Sequence, residues 1–133
     1  MNTGKIVQIS GPVIDCEFEP GHLPKIKEAL SVEVKGKKRI MEVAQHIGNN
    51  TVRCIMLAAS ENLARGMEVE ASGSGIKVPV GTCTLGRMFN VLGNPIDGEP
   101  PVPETEKRME IHRKPPKFEE QRPVVDILET GIK

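Results

Sequence analysis

The sequence contains two Gly-Lys pairs, which are candidates for part of a phosphate-binding loop. A phosphate-binding loop follows the pattern G-x-x-x-x-G-K-[ST]: amides at a helix start hold the phosphates, while the lysine and hydroxyl reach the outer phosphate and magnesium. Gly4-Lys5 and Gly36-Lys37 lack both the upstream glycine and the following serine or threonine. Gly73 and Gly75 form only part of a G-x-G-x-x-G pattern, because position 78 is valine. We therefore predict no nucleotide-binding residue in this chain.

Side chains that could bind a metal or exchange protons are isolated along the chain. The histidines are His22, His46 and His112. None has the H-x-x-x-H or H-x-E spacing that directs two ligands to one metal, so a surface or strand position explains each better. Glu104, Glu106 and the pair Glu119-Glu120 lie in a Pro-rich charged stretch, where solvated carboxylates are a better explanation than acid–base catalysis. The sequence predicts no catalytic residue and no metal ligand.

The cysteines and the charge balance argue against several further classes of protein. Cys16, Cys54 and Cys83 are odd in number and never form a C-x-x-C pair, so we predict core packing rather than a disulfide framework or zinc site. Lys plus Arg and Asp plus Glu are 18 each, and Trp and Tyr are absent, which argues against nucleic-acid binding. No apolar run approaches the roughly 20 residues of a membrane span. The N-terminus lacks a secretion signal, so we expect an intracellular chain.

The elements that position these residues can be read from the hydrophobic pattern. Over the first seventy positions apolar and polar residues alternate with period two, which is typical of strands with one buried face. The runs extend over Lys5 to Ile9, Ile14 to Phe18, Leu30 to Val34, Arg39 to Ile47, Val52 to Met56 and Met67 to Ala71. Gly and Pro residues separate them. Six short strands without a helix predict a small closed antiparallel barrel, because closure removes exposed sheet edges.

The alternating pattern ends at residues 71–75, whose small residues, Ser and Gly among them, are typical of a flexible segment. Four apolar residues then stand at i, i+3, i+4 and i+7: Leu85, Met88, Phe89 and Leu92. This spacing predicts one short helix, with Thr82 or Thr84 at its start and Gly93 past its end. A Pro-rich charged tail follows, which we expect to run extended over a surface. The fold is thus predicted to be mainly β, with a barrel domain over 1–75 and the start of an incomplete second domain over 76–133.

Several long segments of this sequence resemble those of a known protein family. They are GKIVQISGPVIDCEF (4–18), LPKIKEAL (23–30), EVAQHIGNNTVRCI (42–55), VPVGTCTLGRMFNVLGNPIDG (78–98), IHRKPPKFEEQ (111–121) and ILETGIK (127–133). Together they resemble the N-terminal region of the catalytic beta subunits of rotary ATP synthases. The alpha subunit and the flagellar and vacuolar relatives share the LGR…LGNPIDG and TGIK strings. The segments 42–53 and 111–121 look like beta.

The resemblance implies a six-stranded barrel in a ring of alternating alpha and beta subunits, and a nucleotide-binding α/β domain that begins after it. It also implies a complete subunit that makes ATP from ADP and phosphate with a transmembrane proton gradient, with Mg-ATP or Mg-ADP as its nucleotide. Central-stalk subunits are further implied partners. The implied place is peripheral, on the cytoplasmic side of a bacterial plasma membrane, without membrane insertion.

Two interpretations of function remain open at this point. In the first, the chain is an N-terminal part of the catalytic beta subunit, ending before the phosphate-binding loop, and is inactive alone. It then supplies barrel-ring and assembly contacts and needs no cofactor itself. In the second, it is a free-standing, non-catalytic β-barrel interaction module. A reading frame that continues beyond Lys133 into a Gly-rich G-K-[ST] loop favours the first.

Overall fold

The fold comes from a computed structural model that describes residues 2–121 and Ile127. Six of its strands form one closed barrel in the order β1-β2-β5-β4-β3-β6, and β6 pairs back onto β1. They are β1 (Asn2–Ser10), β2 (Val13–Phe18), β3 (Ala29–Val34), β4 (Lys37–Gly48), β5 (Thr51–Met56) and β6 (Glu68–Ala71). All six pairings are antiparallel. The predicted six-stranded closed barrel is confirmed.

Tight turns set the register between neighbouring strands. Asn49 and Asn50 form the two-residue loop from β4 to β5, with φ angles of 48° and 57°. Positive φ at both central positions is the type I′ geometry that matches strand twist, and asparagine tolerates it better than most residues. The register shifts in β1 between Ile6 and Gln8 and in β4 between Val43 and Gln45 mark bulges that increase the local bend.

The barrel interior is filled by one continuous apolar cluster. Its members are Ile6, Ile14, Cys16, Phe18, Leu30, Val32, Val34, Met41, Val43, Val52, Cys54, Met56 and Val69. They alternate with outward residues along each strand, as the period-two pattern predicts. Gly4 allows the close contact between β1 and β2, because a Cβ there would lie 2.6 Å from the Glu17 carbonyl oxygen. Filling of this kind makes the barrel a packed core rather than a channel.

A second, smaller sheet follows the barrel. Strand β7 (Lys77–Pro79) pairs antiparallel with β8 (Arg108–Glu110). Pro79 of β7 is buried, and so are two apolar residues outside the strands, Ile76 just before β7 and Val102 in the segment before β8. Within the described part of the chain, no helix has the length and apolar character that a membrane crossing requires. The tail beyond β8 is irregular as far as Gln121, with one short 3₁₀ turn at Phe118–Glu120, and most of its last twelve residues lie outside the described part.

The predicted helix over residues 85–92 is wrong. The only helical turn there is a 3₁₀ turn at Thr82–Thr84, and the chain then folds back on itself so that Phe89 bridges Pro95. The Asn90 carboxamide oxygen accepts hydrogen bonds from the Leu92 and Asn94 amides, both at 3.0 Å. Such local side-chain bonds compete with helical ones. The apolar spacing imitates a helix stripe, yet Leu85 is 75% exposed rather than packed.

Candidate functional site

Two arginine–aspartate pairs are the most strongly organised charged groups of the described residues. In the barrel, the Arg53 guanidinium donates two hydrogen bonds to the Asp15 carboxylate, at 2.8 and 2.9 Å. Asp15 belongs to the outward-facing series of β2, yet it is only 4% exposed. The hydrogen bonds from Arg53 lower the pKa of Asp15, in opposition to burial, which would raise it. This pair joins β2 to β5 on the outside of the barrel.

The second pair organises the turn that replaces the predicted helix. Arg87 donates to both oxygens of Asp97, at 2.6 and 3.2 Å, and to the Pro100 carbonyl at 2.9 Å. Asp97 also accepts the Met88 and Glu99 amides, at 3.2 and 3.1 Å. These bonds, chiefly those from Arg87, hold the pKa of Asp97 well below its usual range. With every carboxylate oxygen bonded, Asp97 has a structural role in this arrangement.

All three histidines lie at exposed positions, and each contacts a different partner. The His22 ring is 4.0 Å from the Glu19 carboxylate, and His46 Nε2 lies 2.7 Å from the Pro24 carbonyl oxygen. His112 Nε2 lies 2.9 Å from Glu42 Oε2, which links the segment after β8 to the barrel. This third contact joins residues 70 positions apart, so no local pattern indicates it. The prediction of surface or strand positions for the histidines is confirmed.

No metal-binding group forms among the described residues: three or more His, Cys, Asp or Glu side chains never come together there. The acidic residues Glu104, Glu106, Glu119 and Glu120 are exposed, as the charged composition of their stretch predicts. Glu120 accepts a hydrogen bond from the Lys117 amide at 3.1 Å and so closes the 3₁₀ turn at 118–120. Solvent-exposed carboxylates of this kind are typical of a charged, hydrated stretch of chain.

Two of the three cysteines pack in the barrel, as predicted. Cys16 and Cys54 are fully buried on the adjacent strands β2 and β5, and both are free thiols. The neighbouring Cys16 thiol, together with burial, raises the pKa of Cys54. The thiolate is the reactive form, so Cys54 is chemically inert while the barrel is closed. Cys83 is partly exposed in the 3₁₀ turn, with its sulfur 3.8 Å from the Val80 carbonyl oxygen.

The outer surface of the barrel carries side chains of both charges. The interior is filled by side chains, so a ligand has no room there. On the outside, Lys5 stands in register with Glu17 on one side and Glu68 on the other. Lys38 likewise reaches Glu70 at 3.8 Å. Fold and surface together define a small closed barrel domain with a filled interior and an exterior of mixed charge.

Residues 6–73, just over half of the chain, match the model of the ATP synthase alpha/beta family, beta-barrel domain. This range covers nearly the whole of the barrel, from β1 through β6. The chain belongs to the ATP synthase alpha/beta family.

Proposed function

We propose that this chain supplies the barrel region of the catalytic beta subunit of a rotary ATP synthase and that it contributes assembly contacts rather than nucleotide chemistry. The observation that carries the proposal is a family-matched barrel whose interior is already full. Within the family, the strings at 42–53 and 111–121 favour beta over alpha. The complete subunit would make ATP from ADP and phosphate with a proton gradient and would bind Mg-ATP or Mg-ADP.

The exterior of the barrel suits a protein partner. Basic and acidic side chains alternate across β1, β2 and β6, so that no large field of one sign forms. Mixed polar surfaces are typical of the rim of protein–protein interfaces, whereas nucleic-acid surfaces are strongly basic. The proposed partners are alpha subunits in an alternating hexameric ring, with central-stalk subunits reached through other parts of the complete subunit. In a bacterium the assembly would be peripheral, on the cytoplasmic side of the plasma membrane.

Sedimentation with a purified ATP synthase alpha subunit tests the assembly role. We expect the chain to form a complex with alpha, and we expect the complete beta subunit to displace it, because both would occupy the same place. A chain that binds alpha without being displaced occupies a different surface, which contradicts the beta assignment. A chain that ignores alpha altogether supports the alternative, a free-standing barrel interaction module.

Calorimetric titration with Mg-ATP tests the second half of the proposal. The sequence has no G-x-x-x-x-G-K-[ST] pattern to hold phosphates, so we expect a Kd weaker than about 1 mM and no ATP hydrolysis. Micromolar binding would show a nucleotide site that the sequence patterns do not reveal, and it would contradict a purely assembly role.

A further inference from the structure

The segment between the barrel and β7 has the composition of a flexible linker, Ser72-Gly73-Ser74-Gly75. Its backbone is nevertheless hydrogen bonded to the barrel. The Gly73 amide donates to Glu28 Oε1 at 2.8 Å, and the Ala29 amide donates to the Ser74 carbonyl at 3.0 Å. The Ser74 amide has a local partner in the Ser72 hydroxyl at 3.3 Å. These hydrogen bonds attach the segment to the start of β3.

Glu28 is the central residue of this attachment. It is 8% exposed, and its second carboxylate oxygen accepts the Lys25 amide at 2.9 Å. Its main chain is held as well, because the Val43 amide donates to the Glu28 carbonyl at 2.9 Å. A buried carboxylate with both oxygens bonded to backbone amides fixes the two backbone segments relative to each other. Loss of the carboxylate would leave the Lys25 and Gly73 amides without these partners.

Two further contacts join the β7–β8 sheet to the barrel. His112, just past β8, contacts Glu42 of β4 at 2.9 Å. Gly75 lies between the two parts: a Cβ there would be 3.3 Å from the Lys27 carbonyl oxygen and 3.6 Å from Glu110 Oε2. A side chain at position 75 would therefore crowd the barrel loop at Lys27 and lie in van der Waals contact with Glu110 of β8. The contacts at 28, 42 and 75 lie on different segments, so together they restrict rotation as well as separation.

We propose that the Glu28–Gly73 bond, the close approach at Gly75 and the Glu42–His112 contact form a rigid joint. The joint makes the barrel and the β7–β8 sheet one mechanical body, although the composition of residues 72–75 indicates a hinge. A displacement applied to β7–β8 is then transmitted to the barrel instead of being absorbed between them. The inference depends only on contacts within this chain, and not on the proposed partner.

Residual dipolar couplings of the full chain in a weakly aligning medium test the joint directly. We expect the amides of Ile76–Val80 and Arg108–Ile111 to fit the same alignment tensor as the amides of the barrel strands. A separate tensor of smaller magnitude for the β7–β8 amides in the unsubstituted chain would overturn the proposal, because it would show independent motion of the sheet.

Substitutions identify which contacts make the joint. Glu28→Ala should speed hydrogen exchange of the Gly73 amide by about tenfold, the order expected when a part-buried hydrogen bond is lost. His112→Ala is a second test at an exposed position, where the barrel core is untouched, and it should reduce the alignment of the β7–β8 amides. Glu33→Ala, at an exposed outward position of β3, is the matched control and should change neither quantity. If both test variants behave like the control, the joint is not made by these contacts.

Discussion

The barrel buries apolar side chains, whereas the turn over residues 85–100 buries charged ones. The barrel encloses apolar groups and leaves most charges outside. The turn encloses an ion pair, with the Arg87 and Asp97 side chains 21% and 10% exposed, and leaves Leu85 and Met88 75% and 60% exposed. Apolar burial is non-directional and cooperative, whereas the turn depends on a few directional hydrogen bonds. The barrel is therefore stabilised mainly by buried apolar surface, and the turn mainly by a few directional hydrogen bonds.

Truncation of a leucine should have its largest effect inside the barrel. Leu30 is fully buried, so Leu30→Ala should lower the free energy of unfolding by about 2–5 kcal/mol through lost contacts and the cavity that remains. Leu85→Ala is the matched control, since Leu85 is 75% exposed, and it should change the same quantity by less than about 0.5 kcal/mol. Urea unfolding followed by circular dichroism measures both.

Equal losses for the two leucine variants would contradict this contrast. They would mean that the face of the turn that carries Leu85 is covered in solution and that the two regions are held by the same force. Measurement over a range of protein concentrations distinguishes cover by a second copy of the chain from cover within one chain.

Gly93→Ala should separate the turn from β7 without unfolding the barrel. A Cβ at this position would lie 2.6 Å from Pro79 Cδ and 3.2 Å from Val78 Cα, and φ is +73°. We expect amide protection in residues 88–96 to fall by about 2 kcal/mol, from clash and backbone strain together. Gly98→Ala is the control: φ is +82°, but no atom lies within 4 Å, so only the strain applies. A Gly98 effect as large as that at Gly93 would rule out the close contact with β7.

The contrast explains how much of the structure could be predicted. The strands were predictable because burial of alternate residues, such as Ile14 and Cys16, is written locally in the sequence. The helix was not, because its apolar spacing is real but Asn90 and Asp97 bind nearby backbone amides and redirect the chain. Contacts between distant positions, such as His112 with Glu42, leave no local signature at all.

The burial of Asp15 and the rigid attachment of residues 72–75 were missed for related reasons. Alternation places Asp15 on the wet face of β2, and only the position of Arg53 across the ladder shows that a bidentate contact covers it. The Ser-Gly composition of 72–75 describes the intrinsic freedom of the segment, whereas its real freedom is set by Glu28. In both cases a polar partner from another strand or loop decides the outcome.

Acid should open the turn before the barrel. Arg87 holds the pKa of Asp97 well below its usual range, and Arg53 lowers the pKa of Asp15. A carboxylate with a depressed folded pKa stabilises fully above its unfolded pKa, near 4, and loses that contribution as pH falls toward the folded value. The turn has few other sources of stability, so its amides should lose protection first below about pH 4.

Amide exchange measured from pH 6 downward, corrected for the intrinsic rate, checks this order. Asp97→Asn should remove most of the acid response of residues 88–99 while it leaves the response of β2 and β5 unchanged. Simultaneous loss of protection in both regions would instead indicate that the turn and the barrel open as a single unit.

The smallest effect concerns the tight turn between β4 and β5. Asn50 has a φ of +57° in a type I′ turn, a position at which glycine is preferred. Asn50→Gly should therefore raise the free energy of unfolding by about 0.5 kcal/mol, after allowance for the extra freedom of glycine in the unfolded chain. Thermal unfolding checks it, and a lower Tm would mean that the Asn50 side chain makes a contribution outweighing its strain.

Native-state hydrogen exchange at increasing urea concentrations tests the central difference most directly. Amides of β2 and β5 should exchange only through global unfolding, with one free energy and a steep dependence on urea, because they enclose the common apolar core. Amides of residues 88–99 should exchange through a small local opening, with a lower free energy and almost no dependence on urea. A single free energy and a single urea slope for both regions would contradict the account.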